Sequence, residues 1–174
     1  VAANLAALLY MVPLSFSIAT SARASYWIGA QNIVMMKKTV RSGFELVLLI
    51  SLVLTAIVGF GQKQIAAIYV SDPHVLQLTA QLIGLVAVYH FFDAIQTMCF
   101  FVLRSLKIVF IPFVLYSCLL WGLGLGGGIM LAYEYELLYF QSPSAFWVSS
   151  STALFLVSLS LLFLLRMKLK RFSS

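Results

Sequence analysis

The chain has 174 residues, 63% of them hydrophobic and only 9% charged, with a formal net charge of +6. Water-soluble domains carry roughly a quarter charged residues, so a mean hydropathy of +1.04 excludes a soluble globular domain, a disordered segment, a coiled coil and a disulfide-built secreted module. Cys99 and Cys118 lie in apolar runs and fit neither a metal spacing nor a disulfide framework.

A helix needs about 20 mostly apolar residues to cross the hydrocarbon core, and five runs qualify. The first covers 4–28, carries Pro13 with a row of Ser15, Ser17, Ser21 and Ser25, and ends at Gly29-Ala30-Gln31-Asn32. Small hydroxyls let helices approach closely, while a proline can bend a helix round a cavity. Close packing and substrate contact both fit this row, and Ser17 and Ser21 are its cavity candidates. Lys37, Lys38 and Arg41 follow in the connection, and the second span runs over 44–60 with Glu45 at its start. The third span covers 76–102 and the fourth 109–133, where Trp121-Gly122-Leu123-Gly124-Leu125-Gly126-Gly127-Gly128 suits either close packing or a local bend. The last span, 145–165, leads into a basic tail over 166–174. Barrel strands would alternate apolar and polar residues, and these runs are too long and too apolar on every face. An all-α integral membrane protein is expected.

Nine basic residues follow the first, third and fifth spans, whereas Lys63 stands alone among the acids Asp72, Glu134 and Glu136 on the other side. Arg23, near the basic end of the first span, can snorkel toward that side. The positive-inside rule makes the basic side cytoplasmic, with the N-terminus outside and the C-terminus inside. The positive charge is thereby a topology signal, with lipid binding by the tail as a second role, and nucleic acid is not an expected partner. An outside start at Val1, with neither an initiator Met nor a signal sequence, predicts the C-terminal piece of something longer.

Asp93 is the one acidic residue deep within a span. A carboxylate at mid-bilayer costs about 2.5–3.5 kcal/mol on insertion scales, so it is expected to face a cavity or a partner. Tyr89, Asp93 and Gln96 follow i, i+4, i+7 spacing on one helix face, which Gln77 and Gln81 extend toward the outside. A phenol and an amide beside a carboxylate suit a small hard cation or a bound proton. The same trio also suits a polar tie between helices. His90 is read as a packing residue and His74, after Pro73, as a solvated turn residue. With no nucleotide loop, zinc spacing or nucleophile elbow present, no enzyme and no cofactor is expected.

Specific strings now matter. Tyr89-His90-Phe91-Phe92-Asp93-Ala94-Ile95-Gln96, then Leu103-Arg104, Pro112 and Trp121-Gly122-Leu123-Gly124, resembles the multidrug and toxic compound extrusion (MATE) family in its tenth and eleventh helices. Met11-Val12-Pro13-Leu14-Ser15 through Ala19, Ser21, Arg23 and Gly29-Ala30 is similar to the eighth helix of that family. The resemblance covers nearly the whole chain. It implies helices 8–12 of a twelve-helix, two-lobe transporter, a partial C-lobe lacking helix seven and the N-lobe that the complete transporter requires. It further implies efflux of drugs and other organic cations by antiport with sodium or protons across the bacterial inner membrane. Asp93 then matches the cation-coupling residue, the sodium ligand if sodium is the coupling ion. Tyr89 would share its site, with Gln96 in the same motif. Ser105, Ile108 and Gly126 stand where family members usually carry Gly, Asp and Pro. A lipid-linked saccharide flippase of related fold, a structural membrane subunit and a non-functional truncated remnant are the alternative readings.

Overall fold

In hydrocarbon a backbone N–H or C=O finds no water, so each span has to satisfy its polar groups internally. The computed structural model describes residues 1–133 and 143–171, and these form seven α-helices and one π-helical turn. Five segments are long and apolar enough to cross a membrane: Ala2–Gly29, Ile33–Phe60, Pro73–Ser105, Phe110–Ala132 and Ser144–Lys170. Leu49, Phe60, Phe110 and Phe163 are among many large apolar side chains turned outward, as a lipid solvent allows.

Helix α1 (Ala2–Gly29) contains Pro13. It ends in a tight turn at Gln31, which takes a φ of 54°. Helix α2 (Ile33–Phe60) begins at Ile33, not at 44, because Asn32 caps it: the Met35 N–H donates to Asn32 Oδ1 at 3.0 Å. No breaker follows, so Lys37, Lys38 and Arg41 ride on the helix instead of a connection, with their charges on long apolar stems. Beyond Gly61 the chain forms α3 (Gln62–Tyr69), a short helix between the second and third spans, anchored by buried Ala66.

Asp72 starts α4 (Pro73–Ser105), accepting from the N–H groups of His74 and Val75 at 2.9 and 3.2 Å, with Pro73 in the first turn. His74 thus belongs to a helix, not a free turn. Helix α4 packs on α1, α2, α3 and α7 (Ser144–Arg171). Two apolar clusters surround it, one built on Leu9, Val58, Ile83 and Val86 and the other on Met36, Met98, Leu103 and Leu161. His90 and Asp93, both buried, fall between these clusters along α4. Close approach is built into the second cluster, since a Cβ on Gly43 of α2 would run into the side chains of Thr20 and Met98.

The fourth span is interrupted. Helix α5 (Phe110–Leu119) passes into a π-helical turn over Leu120–Gly126 and then into α6 (Gly127–Tyr133). Ser149 Oγ of α7 donates to the carbonyl of Leu123 in that turn, and Gly124 lies against Ser150 and Ala153. The glycine run therefore does both things its sequence suits, packing closely and changing the helix locally. Helix α7 continues through Arg166, Lys168 and Lys170 to Arg171, so most of the expected tail is helix. Glu134, Glu136 and residues 172–174 lie outside the described residues.

Candidate functional site

A cavity of about 860 Å³ opens between α1, α4, α5 and the π-helical turn. Helix α4 supplies Tyr89, Asp93, Gln96 and Phe100, four positions that a 3.6-residue period puts on one face. The three residues expected to act together are thus in one place. Asp93 and Gln96 are buried, with 8% and 7% of their surface exposed. The Thr97 hydroxyl donates to Gln96 Oε1 at 3.3 Å, which leaves the amide N–H₂ of Gln96 free to turn to other partners.

Other helices complete the lining. Tyr10 comes from α1, Tyr116 from α5 and Trp121 from the π-helical turn. The phenols of Tyr10, Tyr89 and Tyr116 all stand within electrostatic reach of the Asp93 carboxylate, and Tyr10 also reaches the Thr97 side chain. Trp147 of α7 meets Tyr89 edge to face, with ring centroids 5.3 Å apart. Asp93 is the one charged side chain among the described lining residues, where no Lys or Arg appears. A buried carboxylate with no counter-ion is costly, and it gains most from a proton or a visiting cation. Aromatic faces add attraction for an organic cation through the ring quadrupole.

Ser17 and Ser21 do not belong to this lining. Ser17 is fully buried and its Oγ has no hydrogen-bond partner among the described residues. The Ser21 hydroxyl donates to the carbonyl of Phe101 at 2.8 Å, tying α1 to α4. Their rotation about α1 turns them into the helix contact, and packing is the role the structure gives them. Gln77 and Gln81 are exposed toward the start of α4 and stand outside the cavity, as does exposed Arg23. His90 is buried, with Nε2 unpartnered among the described residues.

Sequence reasoning missed Tyr10, Tyr116 and Trp121. A signal existed for the tyrosines: of eight in the chain, Tyr10 and Tyr116 join Tyr89 well inside spans, where a phenol hydroxyl has to find a protein partner.

Residues 1–130 match the model of the MatE family. Among curated relatives, the probable multidrug resistance protein NorM of Aromatoleum aromaticum is 34% identical over 173 residues, covering 98% of this chain and 37% of that protein. The multidrug resistance protein NorM of Photobacterium profundum is 31% identical over 166 residues, covering 95% and 36%. Of solved structures, the eukaryotic MATE transporter AtDTX14 superposes with a TM-score of 0.82 at 18% identity, covering 98% of this chain and 38% of that one. The chain spans a little over a third of the length of the curated relatives it matches.

Proposed function

The chain belongs to the MatE family, and from that premise we propose that it forms part of a multidrug efflux transporter, with the Asp93 cavity serving both the exported cation and the coupling ion. The observation that carries this reading is the single carboxylate, Asp93, standing uncompensated among Tyr10, Tyr89, Tyr116 and Trp121. Charge attraction and ring faces favour an organic cation there. The same carboxylate, with the phenol oxygen of Tyr89 and the lone pair of the Gln96 amide oxygen that Thr97 does not use, offers a small hard cation such as sodium the oxygen ligands it prefers. A proton can take the place of that cation on Asp93. One negative charge cannot neutralise two cations at once, so drug and coupling ion exclude each other. That exclusion is the thermodynamic basis of antiport, because each ligand shifts the transporter toward the state it binds better.

The rest of the transport path, including the second lobe, belongs to the remaining length of such a transporter. The end bearing Lys37, Arg41, Arg104 and Arg166 faces the cytoplasm of a bacterial inner membrane by the positive-inside rule. A flippase for lipid-linked saccharides would be expected to line its cavity with cations, and no described lining residue is one.

The test is efflux from cells or vesicles carrying the full-length protein with Asp93→Asn, with sodium and proton gradients imposed separately. Export falls to background while the protein still inserts at its normal level. Undiminished export by a well-inserted Asp93→Asn protein would overturn the assignment.

A further inference from the structure

A second cavity, of about 420 Å³, lies on the far side of α4 from Tyr10 and Tyr116, between α2, α4 and α7. Its lining is divided by chemistry. Lys37 and Arg41 of α2 and Arg166 of α7 stand at one end, while Phe44, Leu48 and Leu162 form an apolar trough. The early start of α2 creates this arrangement: with Lys37 and Arg41 on the helix, they face Arg166 across the groove instead of leaving it in a connection. Glu45 is the only acid among the described lining residues and it holds Arg41, with Nε to Oε1 at 2.8 Å, while Arg166 stands across the groove.

The dimensions fit one kind of occupant. From Lys37 to Leu48 the helix rises about 16 Å at 1.5 Å per residue, close to half of the roughly 30 Å hydrocarbon core. A ligand with its charge at the cations and its tail along the trough would therefore span one leaflet. Lipid is the solvent that meets an apolar groove in a bilayer, and basic pockets between helices favour anionic head groups.

We propose that this groove is a binding site for an anionic phospholipid, with its phosphate held by Lys37, Arg41 and Arg166 and one acyl chain lying over Phe44, Leu48 and Leu162. A phosphate draws Arg41 into shared contact with Glu45 and the lipid, since a guanidinium has five donors to distribute. The site is independent of the Asp93 cavity, and it stands whether or not the chain's full-length protein exports drugs.

The experiment is native mass spectrometry of the purified full-length protein, titrated with phosphatidylglycerol or with phosphatidylcholine of identical acyl chains. Phosphatidylglycerol is retained about fivefold more strongly, the scale that one basic residue near an anionic head group contributes. Lys37→Gln combined with Arg166→Gln removes that preference, and Lys63→Gln, which lies outside this groove, keeps it. Leu162→Trp, which fills the trough and leaves the cations in place, also lowers retention of phosphatidylglycerol. Equal retention of the two lipids by the unaltered protein would overturn the proposal. So would displacement of phosphatidylglycerol by an equal concentration of glycerol phosphate, which would mark a free-anion site with no use for the acyl chain.

Discussion

Tyr89 and Trp147 meet edge to face, with ring planes at 84° and centroids 5.3 Å apart, so helix α7 holds the phenol that sits one turn before Asp93. Edge-to-face pairs contribute about 0.5–1.5 kcal/mol beyond area burial, enough to restrict the ring. Trp147 is not among the residues lining the cavity, so its influence there runs through Tyr89.

On the role proposed for Asp93, Trp147→Ala is therefore expected to weaken affinity for the coupling ion by about two- to tenfold, the range that the lost ring contact converts to. Trp147→Phe, which keeps an aromatic edge, restores most of it. The check is ion-dependent transport or ion binding by the full-length protein. Equal affinity in all three proteins would remove Trp147 from any positioning role.

Tyr10 reaches Asp93 from a different helix and also meets the side chain of Thr97. Replacing it with Phe removes one hydroxyl and leaves the ring face in the cavity. A neutral hydrogen bond contributes about 0.5–1.5 kcal/mol net, so Tyr10→Phe should raise the ion concentration for half-maximal transport by up to about tenfold. Binding of an aromatic organic cation should change less, because its ring contacts persist. An ion dependence identical to that of the unaltered protein would count against Tyr10 as part of the site.

Gly43 permits α1, α2 and α4 to converge, since a Cβ there meets Thr20 and Met98. Overpacking a dense contact costs about 1–3 kcal/mol, and Gly43→Val should cost at least that through its additional methyls. The expected result is a lower thermal midpoint and a smaller folded yield of the full-length protein. A midpoint equal to that of the parent would show that the three helices part without penalty.

Lys107 is exposed just beyond α4 with a φ of 60°, in the left-handed region that suits glycine. A residue with a Cβ costs roughly 1–2 kcal/mol there, part of which glycine returns through its larger unfolded-state entropy. Lys107→Gly is expected to stabilise the protein by about 0.5–1 kcal/mol, read as a higher thermal midpoint. A fall in midpoint would mean that the lysine side chain does more than fill the turn.

Several helix boundaries moved for local reasons that spacing alone concealed. Asn32 and Asp72 are caps whose side-chain oxygens each satisfy first-turn N–H groups, so α2 and α4 begin earlier than their apolar runs. Lys37, Arg41, Arg166 and Lys168 interrupt hydropathy without interrupting helix, because long side chains carry charge away from the backbone. The eight residues of α3 are too few and too polar to register as a span. The π-helical turn depends on contacts from α7, notably Ser149 with Leu123, which lie 26 residues apart in the chain.

What the sequence determined by itself was the membrane class, the five spans and the common face of Tyr89, Asp93 and Gln96. Bilayer thickness sets the length of an apolar run, and the helical repeat orients residues within one helix, so both are local properties. Tertiary structure alone decided that Tyr10, Tyr116 and Trp121 close round Asp93 while Ser17 and Ser21 turn into helix contacts. It also brought Lys37 and Arg41 opposite Arg166. Those outcomes depend on how each helix is rotated and where helices cross, which the fit of side chains such as Thr20 and Met98 against Gly43 settles between segments, not within them.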